Sequence, residues 1–437
     1  MAQALLLGNQ RLNEVHQPAR EVRGNPAMNS HQSSLPQRIP SGSSSARPKR
    51  TRKWGQRAAQ VTLAFLLCLG CFLSLFPQGR ALTRSAFLLP AVLSASETAP
   101  LAIAGDSVSF RRITISSSIG PVFLDIYEPA TSPPPIPGGR EAIIDVLGVG
   151  DNREVPQLVN LSQTLAREGI VIVNVATPTL LNYQISARDG EAVVQAFELL
   201  EHWPGVNPQH IGIFAFSVAD VLACFGAADP RIRDRVAFLG FLGGYFDGFS
   251  LLRTVGMRAQ DVDGQRLVWQ PISTTLNVLA NTMGPLLAPE DQQLLQMAFP
   301  LTTISPPLTA QQQRQFSPAG AAFYHLLEGD EPSSVDRNIA ALSPSMKALL
   351  TQLSPQPAIK QIRAPIHLLH DRNDPNIPFT QTQEFAADLA RLHHPYDFTA
   401  YTIIAHVIVR SDLGLAQEVS DGSKLFKVLN SVLLVGS

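Results

Sequence analysis

The sequence predicts an α/β domain: a mostly parallel, eight-stranded sheet covered by helices on both faces and interrupted by a helical insertion. Three observations carry this. Short runs that are apolar almost throughout, such as Ala142-Ile-Ile-Asp-Val-Leu147 and residues 169–175, alternate with segments of helical spacing, the pattern of strands buried on both faces. Residues 210–220, His-Ile-Gly-Ile-Phe-Ala-Phe-Ser-Val-Ala-Asp, read as a buried strand turning sharply into a helix, with Ser217 at the corner. From residue 248 to 355 the strand pattern stops, and apolar helical pieces are split by Pro- and Gln-rich loops.

Residues 1–57 are rich in Ser, Pro, Gln, Asn and Arg without periodicity, so ordering them would bury too little apolar surface to offset chain entropy. They read as a disordered basic tail. Residues 58–77 then run uncharged through Val61-Thr-Leu-Ala-Phe-Leu-Leu-Cys-Leu, and about 20 such residues suffice to cross a bilayer as a helix. Arg47, Lys49, Arg50, Arg52, Lys53 and Arg57 precede the run, whereas only Arg80 and Arg84 follow closely. The positive-inside rule then keeps the tail in the cytoplasm and puts the main domain outside, anchored by a transmembrane helix. Four alternatives stand beside this: the core of a cleaved signal, with cleavage near Arg80; a true start at Met28; lipid attachment at Cys71; and a buried helix of a soluble protein.

The folded domain is expected over residues 105–437. Residues 108–116 and 121–127 alternate apolar and polar side chains around Ser117-Ser-Ile-Gly120, which suggests a hairpin. A Pro- and Gly-rich loop over 128–140 leads to the strand 142–147, which breaks at Gly148-Val-Gly150. Leu158, Leu161 and Leu165 mark one face of a helix, and the strand 169–175 follows. Val193, Phe197 and Leu200 mark a second helix, ended near Pro204-Gly205. Beyond Ser217, Val221-Leu-Ala-Cys-Phe225 continues as a small-residue helix, and 235–242 is another buried strand. The insertion, 248–355, shows no strand pattern and starts at a strand end, where ligands bind in such sheets. Alternation resumes with a strand at 365–370, a helix at 380–392, a strand at 396–404 and a helix at 417–434.

Bulk numbers exclude several classes. A net charge of −1 argues against nucleic acid as a partner, and 45% hydrophobic content is that of an ordinary globular chain. Cys68 and Cys71 lie in the apolar run and Cys224 just after the serine corner, so neither a disulfide framework nor a zinc site can be assembled. No metal is expected.

A hydroxyl at a strand-to-helix turn points out of the sheet beside free N–H groups of the helix start, which is what a nucleophile needs. Two later loops supply companions. His370-Asp-Arg-Asn-Asp-Pro-Asn-Ile-Pro378 leaves a buried strand at its carboxyl end and offers Asp374; Ile403-Ile-Ala-His406 ends the next strand with a histidine. The chain order is Ser, Asp, His. Here the sequence resembles the α/β-hydrolase fold superfamily, in its serine esterase and dienelactone-hydrolase-like branch. That superfamily's elbow is G-x-S-x-G, and its acid loop often reads H-G-x-x-D-x-x-V-P. The elbow here is Ala215-x-Ser217-x-Ala219, the loop has Asp371 for Gly and Ile377 for Val, and Leu147 stands before Gly148 where the superfamily usually has His. The resemblance implies Ser217 as nucleophile, His406 as general base, Asp374 as the group orienting it, and the N–H groups of Val149 and Val218 as the oxyanion hole. No cofactor is implied.

Asp371 competes within the acid loop and Asp247 after the preceding strand. His367 and His370 read as core or loop supports, His393 and His394 as solvent-facing, and Asp220 as a structural hydrogen-bonding group. The expectation is a serine hydrolase cleaving a carboxylic ester with an apolar acyl group, at or outside the membrane; a peptidase or a dienelactone-type hydrolase would use the same residues. The competing reading is a non-catalytic member that binds a partner or lipid through its helical cap.

Overall fold

A computed structural model describes residues 50–93, 105–131, 138–301, 306–406, 408–410 and 412–435. Most of the expected tail, with the alternative start at Met28, lies outside them. The chain divides into two units, 1–72 and 73–437.

In the first unit, helix α1 (Arg50–Leu75, its last turn beyond the unit's end) carries the apolar run, and Val61, Leu63, Phe65 and Leu67 are exposed. Among the described residues no single helix is long and apolar enough to cross a membrane. The stretches Gln60–Leu75 and Pro77–Val92 reach that length and composition only when taken together.

The second unit begins with a helix that lies before the expected bounds of the folded domain, 105–437. Helix α2 (Pro77–Val92) starts on a proline at its first turn, where the missing N–H costs nothing. It buries a face of mostly small residues, Gly79, Ala81, Ser85, Leu88 and Ala91. Such a face lets backbones approach closely, and α2 packs along the C-terminal helix α13 (Leu415–Val435). Arg84 adds a 2.6 Å ion pair to Glu141 on the sheet.

The eight-stranded sheet comprises β1 (Val108–Ser117), β2 (Gly120–Pro129), β3 (Arg140–Val146), β4 (Val171–Ala176), β5 (Val206–Phe216), β6 (Leu239–Leu242), β9 (Ile366–Asp371) and β10 (Tyr396–Tyr401). Their order is β1-β2-β4-β3-β5-β6-β9-β10, with β2 antiparallel to both of its neighbours, β1 and β4, and every later pair parallel. Period-two alternation assigns the faces. Ile144 and Val146 join the core under α4 (Gly190–Glu201), α5 (Asp220–Ala227) and α12 (Thr380–Arg391), while Ile143 and Leu147 face α3 (Pro156–Arg167), α2 and α13.

The strand expected at 235–242 is shorter, since only Leu239–Leu242 pairs on both sides. The strand expected at 396–404 ends at Tyr401, and the chain then forms a separate small hairpin, β11 (Ile404–Ala405) with β12 (Ile408–Val409).

The region 248–355 holds helices α6 (Gly248–Met257), α7 (Ser273–Met283), α8 (Pro289–Ala298), α9 (Pro318–Glu328), α10 (Val335–Ala341) and α11 (Pro344–Leu353). It is not strand-free. β7 (Ala259–Val262) and β8 (Gln265–Val268) form a hairpin whose two turn residues, Asp263 and Gly264, have φ of 52° and 78°. That is the conformation an Asp-Gly pair favours in a two-residue turn, a signal present in the sequence.

Candidate active site

Parallel register brings the loops of interest to one edge. Val146 pairs with Ala215, Phe216 with Leu242, Leu242 with Leu369, and Asp371 with Tyr401. The residues that follow each strand therefore leave the sheet side by side at its carboxyl edge: Gly148-Val149, Ser217, Gly243, the acid loop, and the segment leading to His406.

Ser217 occupies the turn between β5 and α5 with φ of 59°, left-handed for a residue other than glycine. Such a conformation costs on the order of 1–3 kcal/mol and persists only where packing holds it. Here Ala215 and Ala219 on either side are fully buried, and the backbone of Gly148 closes from above, so that a Cβ on Gly148 would sit 3.4 Å from the Ser217 Cβ. Asn152 Nδ2 donates to the carbonyls of both Gly148 and Val149 at 3.0 Å, which turns this loop toward the elbow. The N–H groups of Val149 and Val218 form no hydrogen bond to any of the described residues.

Three carboxylates were candidates to orient His406, and one does. His406 Nδ1 donates to Asp374 Oδ2 at 2.7 Å. The other oxygen of Asp374 accepts the N–H groups of Asn376 at 2.7 Å and Ile377 at 3.1 Å. Burial pushes the Asp374 carboxyl up, but His406, His370 and the Ile377 N–H outweigh it and hold the group below the usual carboxylate range. Asp371 instead meets Arg410 at 3.0 Å, and Asp247 caps α6 by accepting the Ser250 N–H at 2.7 Å.

Gly243, which sequence reading did not single out, completes the arrangement. Its φ is +65°, and a Cβ there would lie 3.0 Å from Asp374 Oδ2 and 3.1 Å from His406 Nδ1. A side chain there would press on both groups and sit on a left-handed backbone that favours glycine. Ser217 and His406 are each 9% exposed, and no hydrogen bond joins Ser217 Oγ to His406. In unliganded hydrolytic sites that contact is often long and shortens when substrate binds.

The remaining histidines support the surroundings. His370 Nε2 donates to the Ile377 carbonyl at 3.1 Å, and its Nδ1 meets the Thr382 hydroxyl; burial holds it below its ordinary pKa, so the ring is a neutral brace. His367 pairs with Asp397 at 2.6 Å, and His394 reaches the Ala364 carbonyl rather than solvent alone. Asp220 departs from expectation. It is fully buried with neither carboxyl oxygen in a hydrogen bond, and burial raises its pKa far above normal, although the Val221 and Tyr245 N–H groups lean toward it. The helical region is tied to the acid loop: Trp269 Nε1 donates to the Asp374 carbonyl at 2.7 Å and Thr275 Oγ1 to that of Asn376 at 2.8 Å. Among the described residues no group of three or more His, Cys, Asp or Glu could hold a metal ion.

No family model and no curated protein matches the sequence. Solved structures similar in architecture include a Mycobacterium tuberculosis puromycin-hydrolyzing peptidase (15% identity, TM-score 0.43, 75% of this chain and 39% of that one). Others are Porphyromonas gingivalis dipeptidyl peptidase 4 (11%, 0.42, 74% and 36%) and a 2,6-dihydroxy-pseudo-oxynicotine hydrolase (14%, 0.42, 75% and 69%). This chain spans well under half of either peptidase. Its own strand order, with a serine on a strained turn after β5 and the Asp374 and His406 loops after β9 and β10, gives the chain the α/β-hydrolase fold.

Proposed function

We propose that the chain is a serine hydrolase acting on carboxylic esters. The observation that carries this reading is the buried Asp374–His406 hydrogen bond of 2.7 Å, set at the sheet edge where Ser217 sits on its strained turn. His406 Nε2 takes the Ser217 proton as Oγ attacks the ester carbonyl. Asp374 fixes the ring tautomer and steadies the imidazolium that forms, and Val149 and Val218 N–H groups receive the oxyanion. Collapse expels the alcohol with the proton from His406, and water, deprotonated by the same ring, frees the acid. An apolar acyl group suits the apolar lining expected where the helical region covers the edge. We further propose that the apolar stretch of α1 holds the domain at a membrane, outside the cytoplasm.

The test is hydrolysis of a p-nitrophenyl acyl ester series against aminoacyl p-nitroanilides. The reading expects ester turnover that increases with acyl length and is lost in Ser217→Ala. Turnover of the anilides alone would make the enzyme an amidase. The near-closed state of Ser217 and His406 favours a second reading, a binding protein without turnover, which silence on both series in folded protein would support.

A further inference from the structure

His406 sits at the tip of the β11–β12 hairpin with φ of 55°, so the base, like the nucleophile, is held in a left-handed turn. The hairpin contributes only two residues per strand, too few to fix that turn alone. Side chains from two other elements grip its root. Asp421 of α13, fully buried, accepts the Thr402 N–H at 2.7 Å, the Ile403 N–H at 3.1 Å and the Thr402 hydroxyl at 3.0 Å, all on Oδ2. Its Oδ1 takes Lys424 Nζ at 2.8 Å, and that ammonium also reaches the Ala400 carbonyl. On the opposite side the Arg410 N–H closes the hairpin on the Ile403 carbonyl at 2.8 Å, while the Arg410 guanidinium donates to Asp371 Oδ2 at 3.0 Å.

Asp371 ends β9 and opens the loop that carries Asp374. Two carboxylates of one loop thus cross to one hairpin, Asp374 to the imidazole at its tip and Asp371 to the guanidinium at its base. Burial lifts the Asp371 carboxyl to about 6, against the pull of the Asn373 N–H and of Arg410, whose guanidinium at 3.0 Å favours the ionised form.

We infer that the Asp371–Arg410 ion pair and the Asp421 clamp are the devices that hold His406 against Asp374, making Asp371, Arg410 and Asp421 positioning residues for the general base. The kinetic side of this inference rests on the hydrolase reading proposed above; its spectroscopic side does not. A tethered base in the correct place is worth far more than a mobile one, because misplacement by about 1 Å can cost two orders of magnitude in rate.

The test uses the full chain with Asp371→Asn, Arg410→Gln, Asp421→Asn, the Asp371→Asn/Arg410→Gln double variant and Arg410→Lys. With an ester substrate, each single change to a neutral residue is expected to lower kcat about tenfold or more, with KM within about twofold. The double variant should be no slower than the worse of its two singles, and Arg410→Lys should recover part of the loss. Independently of turnover, the downfield proton resonance of the His406 Nδ1–H, identified by its absence in His406→Ala, should be present in the wild type. It should broaden or vanish in Arg410→Gln. Unchanged kcat in folded variants, additive losses in the double variant, or a resonance that persists in Arg410→Gln would each overturn the inference. If the wild type turns over no ester, the hydrolase reading fails and the resonance alone decides. Should Arg410→Gln not fold, the near-isosteric Asp371→Asn carries both measurements.

Discussion

Three carboxylates within reach of the same sheet edge end in different jobs, and their hydrogen-bond partners separate them. Asp374 holds His406, Asp371 holds Arg410 and Asp247 caps α6. Asp374→Asn should leave the fold intact and reduce kcat by about 10⁴, because an amide stabilises the wrong tautomer of the ring. Asp247→Ala should leave kcat within a few-fold and cost about 1 kcal/mol in urea unfolding, the loss of one helix cap. The meeting of Asp374 with His406 could be anticipated from the sequence because both follow strands whose apolar runs are legible, even though the last of these strands ends at Tyr401 and not at 404. Asp220 was misjudged for the opposite reason. Its place at the start of a helix, one turn after Ser217, suggests a partner, but whether that partner is reached depends on how the Gly244–Tyr245 backbone packs, which no local pattern encodes.

Turns and short strands decide the geometry at the scale of elements. Gly243 could not be recognised beforehand: Gly243-Gly244 reads as an ordinary turn, and its need for glycine arises from Asp374 and His406, more than 130 residues later in the chain. Gly243→Ala places a methyl against both groups on a left-handed backbone, so it should lower kcat about tenfold or more and destabilise by about 1–2 kcal/mol. A stopped ester assay beside a denaturant melt checks both numbers. The β7–β8 hairpin was legible through Asp263-Gly264 yet overlooked, because β8 is exposed and so lacks the apolar alternation that marks a half-buried strand. The long parallel strands, buried on both faces, were legible for the converse reason. Helix α2 escaped notice because its buried face is built of Gly, Ala and Ser, which contribute little to a hydrophobic stripe.

At the scale of the whole molecule, α2 extends the domain backward to residue 77. Deleting residues 1–93 should lower Tm by about 5 °C or more, since Leu88 and its neighbours leave a buried seam along α13. Charge inside the sheet makes stability depend on pH. Asp145, on β3, is 3% exposed, and burial alone pushes its carboxyl up to about 7. A folded value above the unfolded one near 3.9 means that its contribution is complete below about pH 4 and is lost as pH rises through about 7. Asp145→Asn should therefore match the wild type in Tm near pH 4 and exceed it near pH 8. A wild type no less stable at pH 8 than the variant would show that the carboxyl has an unrecognised partner.

Covalent labelling decides whether Ser217 is a nucleophile activated by His406. Treatment of the folded chain with a fluorophosphonate, followed by peptide mass analysis, tests it most directly. One adduct is expected, on Ser217, formed in the wild type, slowed strongly in His406→Ala and absent in Ser217→Ala. No adduct in a wild type of intact fold, or one on another residue that survives Ser217→Ala, would contradict it.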